Sequence, residues 1–272
     1  MLRLFKKPKP EDPVRVGTQG RLVYAVGDIH GRLDLLRRLI ADIVANAAMA
    51  GTDGRPVVVF LGDYVDRGPD SRGVIDQLLQ LTKASGFEIH SLMGNHEQAM
   101  LWFLDDPKAG RGWVMHGGAE TLASYGVTAP SPQASDDDWE AARLALRAAL
   151  PTDHLTFLLS LELYLEIGDY LFVHAGIKPG VPLHKQAEKD LLWIRDDFLN
   201  ASYTGDKVVV HGHTPAPEPV FYAGRIGVDT GAYATGLLCA VRLFELETSV
   251  ISARLGARRG MTAAGPKKSG VN

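Results

Sequence analysis

The sequence predicts an α/β fold in which two mixed β-sheets pack face to face, with helices on the outside. Short apolar runs alternate with segments of helical period over the first hundred residues, and strand signals return after residue 169. Strand–helix–strand alternation at this spacing is typical of parallel βαβ units. With 272 residues, 46% of them apolar and 22% charged, the chain can bury the core that such a domain needs.

The first half of the fold is predicted as three strands joined by two helices. Residues 22–26 are apolar throughout and predict a buried strand. Apolar residues between 33 and 47 then recur at spacings of three and four, which predicts one face of a helix. A second strand is expected at 57–61, a second helix around 74–81 and a third strand at 87–93.

The middle of the chain, residues 98–165, has few strand signals and predicts a mostly helical insertion beside a cleft. Helices are expected at 139–150 and 155–163. The later strands are expected at 170–173, 207–210, 226–228, 237–244 and 250–254. We therefore expect one catalytic domain over residues 15–255 that contains the helical insertion.

The two ends, residues 1–14 and 256–272, are rich in basic, small and polar residues and predict flexible basic tails. They carry eight of the 29 Lys and Arg residues, so the body between them is acidic and is a poor match for nucleic acid. The sequence has no apolar run of membrane-spanning length and no signal-peptide pattern. A single cysteine cannot form an internal disulfide. We expect a cytoplasmic location and no membrane partner, and the sequence does not predict an oligomeric state.

The chemistry is concentrated where the predicted strands end. The segments that follow the strands are Gly-Asp-Ile-His-Gly at 27–31, Gly-Asp-Tyr-Val-Asp-Arg-Gly at 62–68, Gly-Asn-His-Glu at 94–97, His-Ala-Gly at 174–176 and His-Gly-His-Thr at 211–214. Open α/β sheets bind ligands just outside the carboxyl ends of their strands. These five segments are therefore expected to converge on one site.

The residue types in these segments suit two divalent metal ions. Asp28 and His30 lie two residues apart and point to one side in an extended segment. Mixed carboxylate, amide and imidazole ligands favour manganese, iron or zinc. No thiolate ligand is expected, because Cys239 lies in an apolar run that is typical of a core strand. Two such ions activate a bridging hydroxide for in-line attack at phosphorus. The planar guanidinium of Arg67 suits phosphate oxygens.

Taken together and in this order, the five motifs resemble those of the calcineurin-like metallophosphoesterases. The forms at 62–68 and 94–97 resemble the phosphoprotein phosphatase branch and its bacterial serine/threonine phosphatases. The resemblance covers about residues 22–246. It implies the four-layer α/β/β/α arrangement of the metallophosphoesterases.

The resemblance also implies roles for individual residues. One metal would be held by Asp28, His30 and Asp63, and the other by Asp63, Asn95, His174 and His213. His96 resembles the general acid, with Asp66 orienting its ring. Arg67 and Arg195 resemble arginines that bind phosphate, although Arg195 could instead be a surface ion-pair partner. Tyr233 resembles a tyrosine that lines the substrate cleft.

On this basis we expect a manganese-dependent phosphomonoesterase, with iron or zinc as alternative metals, that acts as a serine/threonine protein phosphatase. Its partner would be a phosphoprotein or phosphopeptide. Many family members have Arg immediately before the Gly-Asn-His-Glu segment, where this chain has Met93. The loss of one phosphate-binding cation is expected to weaken the binding of monoesters or to shift the preference to another substrate.

Two alternatives remain open from the sequence. The first is a symmetrical bis(5'-nucleosyl)-tetraphosphatase, since those enzymes share the framework but tend to lack the equivalent of Asp66 and to have Asp in place of Glu97. The second is a non-catalytic scaffold that uses the metal-site surface to bind a partner. The presence of both His96 and Asp66 argues against a scaffold, because binding alone needs no acid pair.

Overall fold

The computed structural model describes residues 17–52, 54–83, 86–201, 205–255 and 261–262. The strands in these ranges are β1 (Leu22–Val26), β2 (Val57–Phe60), β3 (Glu88–Ser91), β4 (Tyr164–Ile167), β5 (Tyr170–Val173), β6 (Val208–His211), β7 (Val220–Phe221), β8 (Arg225–Gly227), β9 (Leu237–Phe244), β10 (Glu247–Arg254) and β11 (Met261–Thr262). They form a six-stranded sheet in the order β11-β10-β9-β1-β2-β3 and a five-stranded sheet in the order β4-β5-β6-β8-β7. Both sheets mix parallel and antiparallel pairs, as the sequence predicts.

The α-helices in the same ranges cover these sheets from outside. They are α1 (Leu33–Ala50), α2 (Ser71–Lys83), α3 (Asn95–Asp105), α4 (Gly110–Trp113), α5 (Ala119–Ser124), α6 (Asp136–Ala149), α7 (Thr152–Leu159), α8 (Glu188–Trp193), α9 (Asp196–Leu199) and α10 (Ala232–Thr235). None of the helices in the described ranges combines the length and the apolar character needed to cross a membrane.

Alternation along the strands creates the layers. In β1, Val23 and Ala25 face the second sheet, whereas Leu22, Tyr24 and Val26 face the helices that cover the first sheet. Parallel pairing of β1 with β2 and of β2 with β3 requires crossovers, which α1 and α2 supply. On the far side of the second sheet, the helices α8 and α9 pack on β5 and β6. The result is the expected four-layer α/β/β/α sandwich.

The segment between β3 and β4 is mostly helical and packs into the core of the domain. Trp139 of α6 and Phe157 of α7 belong to the same apolar core as Leu36 of α1 and Leu78 of α2. The short strand β4 begins inside the region predicted to be helical, and β7 was not predicted either. Both strands are short and only partly buried, so they lack the continuous apolar run that identifies β1 and β2.

The ends of the chain are described only in part. Residues 1–14, predicted as a flexible tail, lie outside the described residues. The tail predicted over 256–272 differs at Met261–Thr262, which pair with Val250 and Ile251 of β10 as an additional edge strand. The other residues of that segment lie outside the described ranges.

Candidate metal centre and active-site cleft

Five loops meet where β1, β2 and β3 of the first sheet and β5 and β6 of the second sheet end. Their backbone is unusual: seven non-glycine residues in the described ranges have positive φ, and five of them are predicted site residues. These five are His30, Asp63, Asp66, Arg67 and His213. Left-handed backbone in non-glycine residues is strained and is concentrated at functional sites.

Two motif glycines allow the loops to approach one another closely. A Cβ on Gly94 would lie 2.3 Å from the backbone nitrogen of Asp63, and one on Gly212 would lie 2.1 Å from Oδ1 of Asp28. No side chain fits at those distances. The loop after β3 can therefore approach the loop after β2, and the loop after β6 can approach the loop after β1, only because these positions are glycine.

Asp63 lies at the centre of two compact groups of metal-binding side chains. The first group is His30, Asp63 and His96, and the second is Asp63, His174 and His213, with the ligand atoms of each group within 4.8 Å of one another. Oδ2 of Asp63 is 3.5 Å from Nε2 of His30, while Oδ1 is 3.4 Å from Nε2 of His174. One carboxylate thus faces both groups.

Backbone carbonyls orient the imidazoles toward these groups. Nδ1 of His30 donates to the carbonyl of Val65 at 2.8 Å, and Nδ1 of His174 donates to the carbonyl of Leu61 at 2.8 Å. In each ring, Nε2 then presents a lone pair to the site. Nε2 of His174 lies 2.9 Å from Oδ1 of Asn95, so two electron-pair donors face each other.

Burial keeps these imidazoles neutral. It lowers the pKa of His30 to about 3, and it also lowers the pKa of His174. Burial and the neighbouring His174 together lower the pKa of His213 to about 2. Burial alone would raise the pKa of Asp63, but the surrounding histidines, His174 first, hold it well below its usual range. Neutral imidazoles and an ionised carboxylate are the forms that coordinate metals.

These donors fit a dinuclear site. Nδ1 of His213 lies 2.8 Å from Oδ1 of Asn95, so the side chains of the second group converge on Asn95 as well as on Asp63. Both oxygens of Asp28 accept from the backbone N–H of His213, and Asp229 lies against the same carboxylate. Burial, Asp229 and Asp63 together raise the pKa of Asp28. A cation at this position would relieve that repulsion.

His96 differs from the other site histidines. Its Nδ1 is 2.6 Å from Oδ2 of Asp66, and its Nε2 is 3.9 Å from Oδ2 of Asp63. Burial disfavours the imidazolium, but the Asp63 charge and the bond to Asp66 outweigh it and raise the pKa of His96. His96 is therefore the site imidazole that carries a proton most readily.

The helical insertion holds Asp66 in place. The hydroxyl of Thr121 donates to Oδ1 of Asp66 at 2.6 Å, and the indole N–H of Trp113 donates to Oδ2 at 2.8 Å. The backbone N–H of Asp66 donates to the hydroxyls of Thr121 and Ser71. Trp113 and Thr121 lie 47 and 55 residues from Asp66 along the chain, beyond any local pattern.

Glu97 supports the turn that carries Asp63. Its carboxylate accepts four backbone N–H groups, from Asp63, Tyr64, Val65 and Gly94, at 2.7–3.1 Å. A buried carboxylate with this many donors acts as the centre of a loop. The capping-box spacing between Gly94 and Glu97 is the only sequence signal for this role.

The arginines and Tyr233 lie at the edge of the metal groups. One guanidinium nitrogen of Arg67 is 2.8 Å from Nε2 of His30, and its carbon lies 4.8 Å from the centre of the Tyr233 ring. Tyr233 also packs edge-on against His30. Arg195 donates to the carbonyl of His213 at 3.1 Å rather than to a surface carboxylate. His211 is buried against Phe198.

A cleft of about 430 Å³ opens from this site. Its lining residues are Arg67, Asn95, His96, Ala99, Trp102, Ala109, Gly112, Trp113, His116, Trp193 and Arg195. The cleft therefore runs from charged groups at the metal-binding side chains to tryptophans contributed by α3 and α8. Ala109, Gly112, Trp113 and His116, from the helical segment between β3 and β4, form one side of it.

Comparison with known proteins identifies the family. The model of the calcineurin-like phosphoesterases matches residues 22–241 of this chain. The chain is 28% identical over 243 residues to a protein of Anoxybacillus flavithermus named bis(5'-nucleosyl)-tetraphosphatase PrpE [asymmetrical], covering 82% of this chain and 91% of the relative. A Bacillus subtilis protein of the same name is 29% identical over 251 residues, covering 85% and 94%.

Solved structures agree on the fold. A structure described as a candidate diadenosine tetraphosphatase superposes with a TM-score of 0.59 at 22% identity, covering 89% of this chain and 98% of that one. A cold-active protein-tyrosine phosphatase of a Shewanella species superposes with a TM-score of 0.56 at 19% identity, covering 89% and 80%. At these identities, the likeness supports the fold alone.

The expectation of a phosphoprotein or phosphopeptide partner is wrong. The relatives that match most of this chain are named for nucleotide substrates. Asp66 and Glu97 had favoured a protein phosphatase over the symmetrical tetraphosphatases, but the relatives are named as asymmetrical enzymes. Both residues are buried, Asp66 in its bond to His96 and Glu97 in its bonds to the turn at Asp63, and neither one lines the cleft.

Proposed function

This chain belongs to the calcineurin-like phosphoesterase family, and on that premise we propose that it hydrolyses dinucleoside tetraphosphates to unequal products. The observation that carries the substrate class is the match to relatives named bis(5'-nucleosyl)-tetraphosphatase [asymmetrical] over more than nine-tenths of their own length. The products would be one nucleoside monophosphate and one nucleoside triphosphate.

In this proposal two divalent ions bind at the compact groups around Asp63. The ligands would be Asp28, His30 and Asp63 for one ion, and Asp63, Asn95, His174 and His213 for the other. Ions held there would neutralise phosphate charge and activate water for attack at phosphorus. The chain's own contribution is to keep the imidazoles neutral and Asp63 ionised, so that the ligand set is ready to bind.

His96 is assigned to the leaving group. Distances alone would allow it to serve as a metal ligand, because it belongs to one of the compact groups. Its bond to Asp66 and its raised pKa favour an acid instead. As water forms a new bond to phosphorus, the bond to the leaving phosphate oxygen breaks and the Nε2 proton of His96 passes to that oxygen.

Arg67 and Arg195 are assigned to the non-bridging phosphate oxygens. Both line the cleft beside Asn95 and His96, and a guanidinium binds phosphate through two parallel donors. A tetraphosphate carries more negative charge than a monoester. Two arginines at the cleft are consistent with that substrate even where Met93 replaces the arginine found in many family members.

The proposal is tested by product analysis after incubation of the manganese-loaded chain with diadenosine tetraphosphate. We expect AMP and ATP in equal amounts, and no turnover by the Asp63→Asn variant, which controls for a contaminating hydrolase. A phosphothreonine peptide under the same conditions serves as the comparison substrate. Formation of two ADP, or turnover of the peptide with none of the nucleotide, would contradict the proposal.

A further inference from the structure

Two large aromatic side chains are exposed at the mouth of the cleft. Trp102 is 51% exposed and Trp193 is 36% exposed, whereas Trp113 and Trp139 are buried. The rings of Trp102 and Trp193 are nearly parallel, at 4°, with their centres 6.2 Å apart. Exposed aromatic surface at a groove marks a ligand or partner site more often than a structural need.

The ring of Trp193 is held in a fixed orientation. Its indole N–H donates to Oε1 of Gln98 at 2.7 Å, and Nε2 of Gln98 donates to Glu188 at 2.6 Å. Gln98 lies on α3, and Glu188 and Trp193 are the ends of α8, so the relay links the two helices. An aromatic surface oriented in advance loses little entropy when a flat ligand stacks on it.

The tryptophans lie at a defined distance from the metal-binding side chains. Asn95, Ala99 and Trp102 all line the cleft and recur at helical spacing on one face of α3. Asn95 contacts His174 and His213, and Trp102 lies seven residues further along, which is about 10 Å along the helix axis. Three small residues, Ala99, Ala109 and Gly112, also line the cleft and leave space for a sugar.

We infer that the Trp102–Trp193 pair is a nucleobase-binding subsite, which stacks the base of the nucleotide whose α-phosphate lies at the metal end of the cleft. The inference rests on the proposed function for its ligand. The cleft has the same polarity as a nucleotide: arginines and metal ligands at one end, aromatic faces at the other, and small residues where the ribose would lie. One ribose spans the gap, which places the α-phosphate rather than a more distant phosphate at the site of attack.

The subsite is expected to accept different bases. Stacking on an aromatic face tolerates every base, because each has a π-face, and it contributes about 5- to 150-fold in affinity. Adenine and guanine nucleotides should therefore bind comparably, whereas a phosphate compound without a base should not depend on the tryptophans.

The test is calorimetric binding of AMP and of inorganic pyrophosphate to the metal-loaded chain. Trp102→Ala and Trp193→Ala should each weaken AMP binding by about 5- to 150-fold and leave pyrophosphate binding unchanged, and Trp102→Phe should recover most of the loss. Tyr222→Ala removes another exposed aromatic, which lies over Arg225 outside the cleft, and should change neither affinity.

The outcomes separate this inference from the proposed function. If diadenosine tetraphosphate is hydrolysed to AMP and ATP but AMP affinity does not respond to either tryptophan, the subsite is refuted and the function stands. If AMP binding depends on both tryptophans although the tetraphosphate is not hydrolysed, the subsite stands and the substrate assignment fails. Equal weakening of AMP and pyrophosphate would also overturn the subsite, because it would indicate damage to the phosphate end.

Discussion

The two ends of the cleft are built in different ways. At the buried end, Asp63 and His96 come from strand-end motifs, and Glu97 and the insertion residues hold their loops through backbone and side-chain hydrogen bonds. At the exposed end, Trp102 and Trp193 come from helices, and a relay through Gln98 orients the ring of Trp193. The buried end consists of side chains on strained, tightly bonded loops, and the exposed end consists of two aromatic surfaces.

This difference indicates which part of the protein determines which property. A change at the buried end disturbs ligands, loops and proton positions together, so it should affect every substrate. A change at the exposed end leaves that network intact, so it should affect only substrates that carry a base. In the proposed function, the motifs supply the reaction at phosphorus and residues outside the motifs select the substrate.

The largest effect is expected from Asp63→Asn. Asp63 faces both metal groups, so its loss should remove metal and lower turnover by more than about 10³-fold, since the loss of an outer hydrogen-bonding partner alone costs about 10- to 100-fold in metal sites. Metal content by mass spectrometry and kcat measure the two effects. Asp136→Asn, at an exposed ion pair with Arg111, is the control. Retention of both ions with normal turnover would contradict the shared-ligand assignment.

His96→Asn should separate acid from ligand at the buried end. We expect full metal content and a loss in kcat toward the lower end of the 10²–10⁴ range typical of a general acid. The loss is modest because a leaving triphosphate is a weaker base than an alkoxide. His184→Asn, an exposed histidine, is the control. Loss of metal together with activity would instead identify His96 as a ligand.

Glu97→Gln tests whether the turn under Asp63 depends on a carboxylate. The amide NH₂ of Gln would replace an oxygen that accepts two backbone N–H groups. The N–H donors of the amide would then face these buried backbone N–H donors. We expect the free energy of unfolding to fall by about 1–3 kcal/mol, seen as a melting temperature lower by several degrees. Glu120→Gln on an exposed helix position should leave it unchanged. An unaltered melting temperature in both variants would show that Glu97 does not support the loop.

Trp113→Phe is expected to give the smallest effect at the buried end. It removes only the indole N–H that donates to Asp66, while Thr121 still holds the other oxygen. We expect kcat to fall by about 5- to 10-fold for every substrate, with KM unchanged. Trp139→Phe is a matched control, because its buried indole N–H has no hydrogen-bond partner among the described residues. Equal kcat in the two variants would exclude a role of Trp113 in the acid pair.

Much of the fold and the convergence of the motifs could be predicted from sequence. The apolar runs of β1 and β2 can be recognised as strands from the local sequence. The Asp, His and Asn residues that follow the strands are expected to meet at the carboxyl ends of the sheets. The contacts of Thr121 and Trp113 with Asp66 could not be predicted, since they join distant parts of the chain without a local pattern.

The aromatic end of the cleft could not be predicted from the sequence either. Trp102 and Trp193 occur in helices beside apolar residues, where a tryptophan is expected in the core. Only their exposure and parallel rings distinguish them from Trp139, which is buried. The substrate class was predicted wrongly for the same reason, because the motifs encode the reaction at phosphorus and not the group attached to it.

The most direct measurement is hydrolysis of diadenosine tetraphosphate by the metal-loaded chain in ¹⁸O-water, with the products separated and their masses determined. Attack at the α-phosphorus of the nucleotide stacked on Trp102 and Trp193 predicts AMP that carries one ¹⁸O atom and ATP that carries none. Label in ATP would contradict the placement of the nucleotide in the cleft, and two molecules of ADP as products would contradict the unequal cleavage.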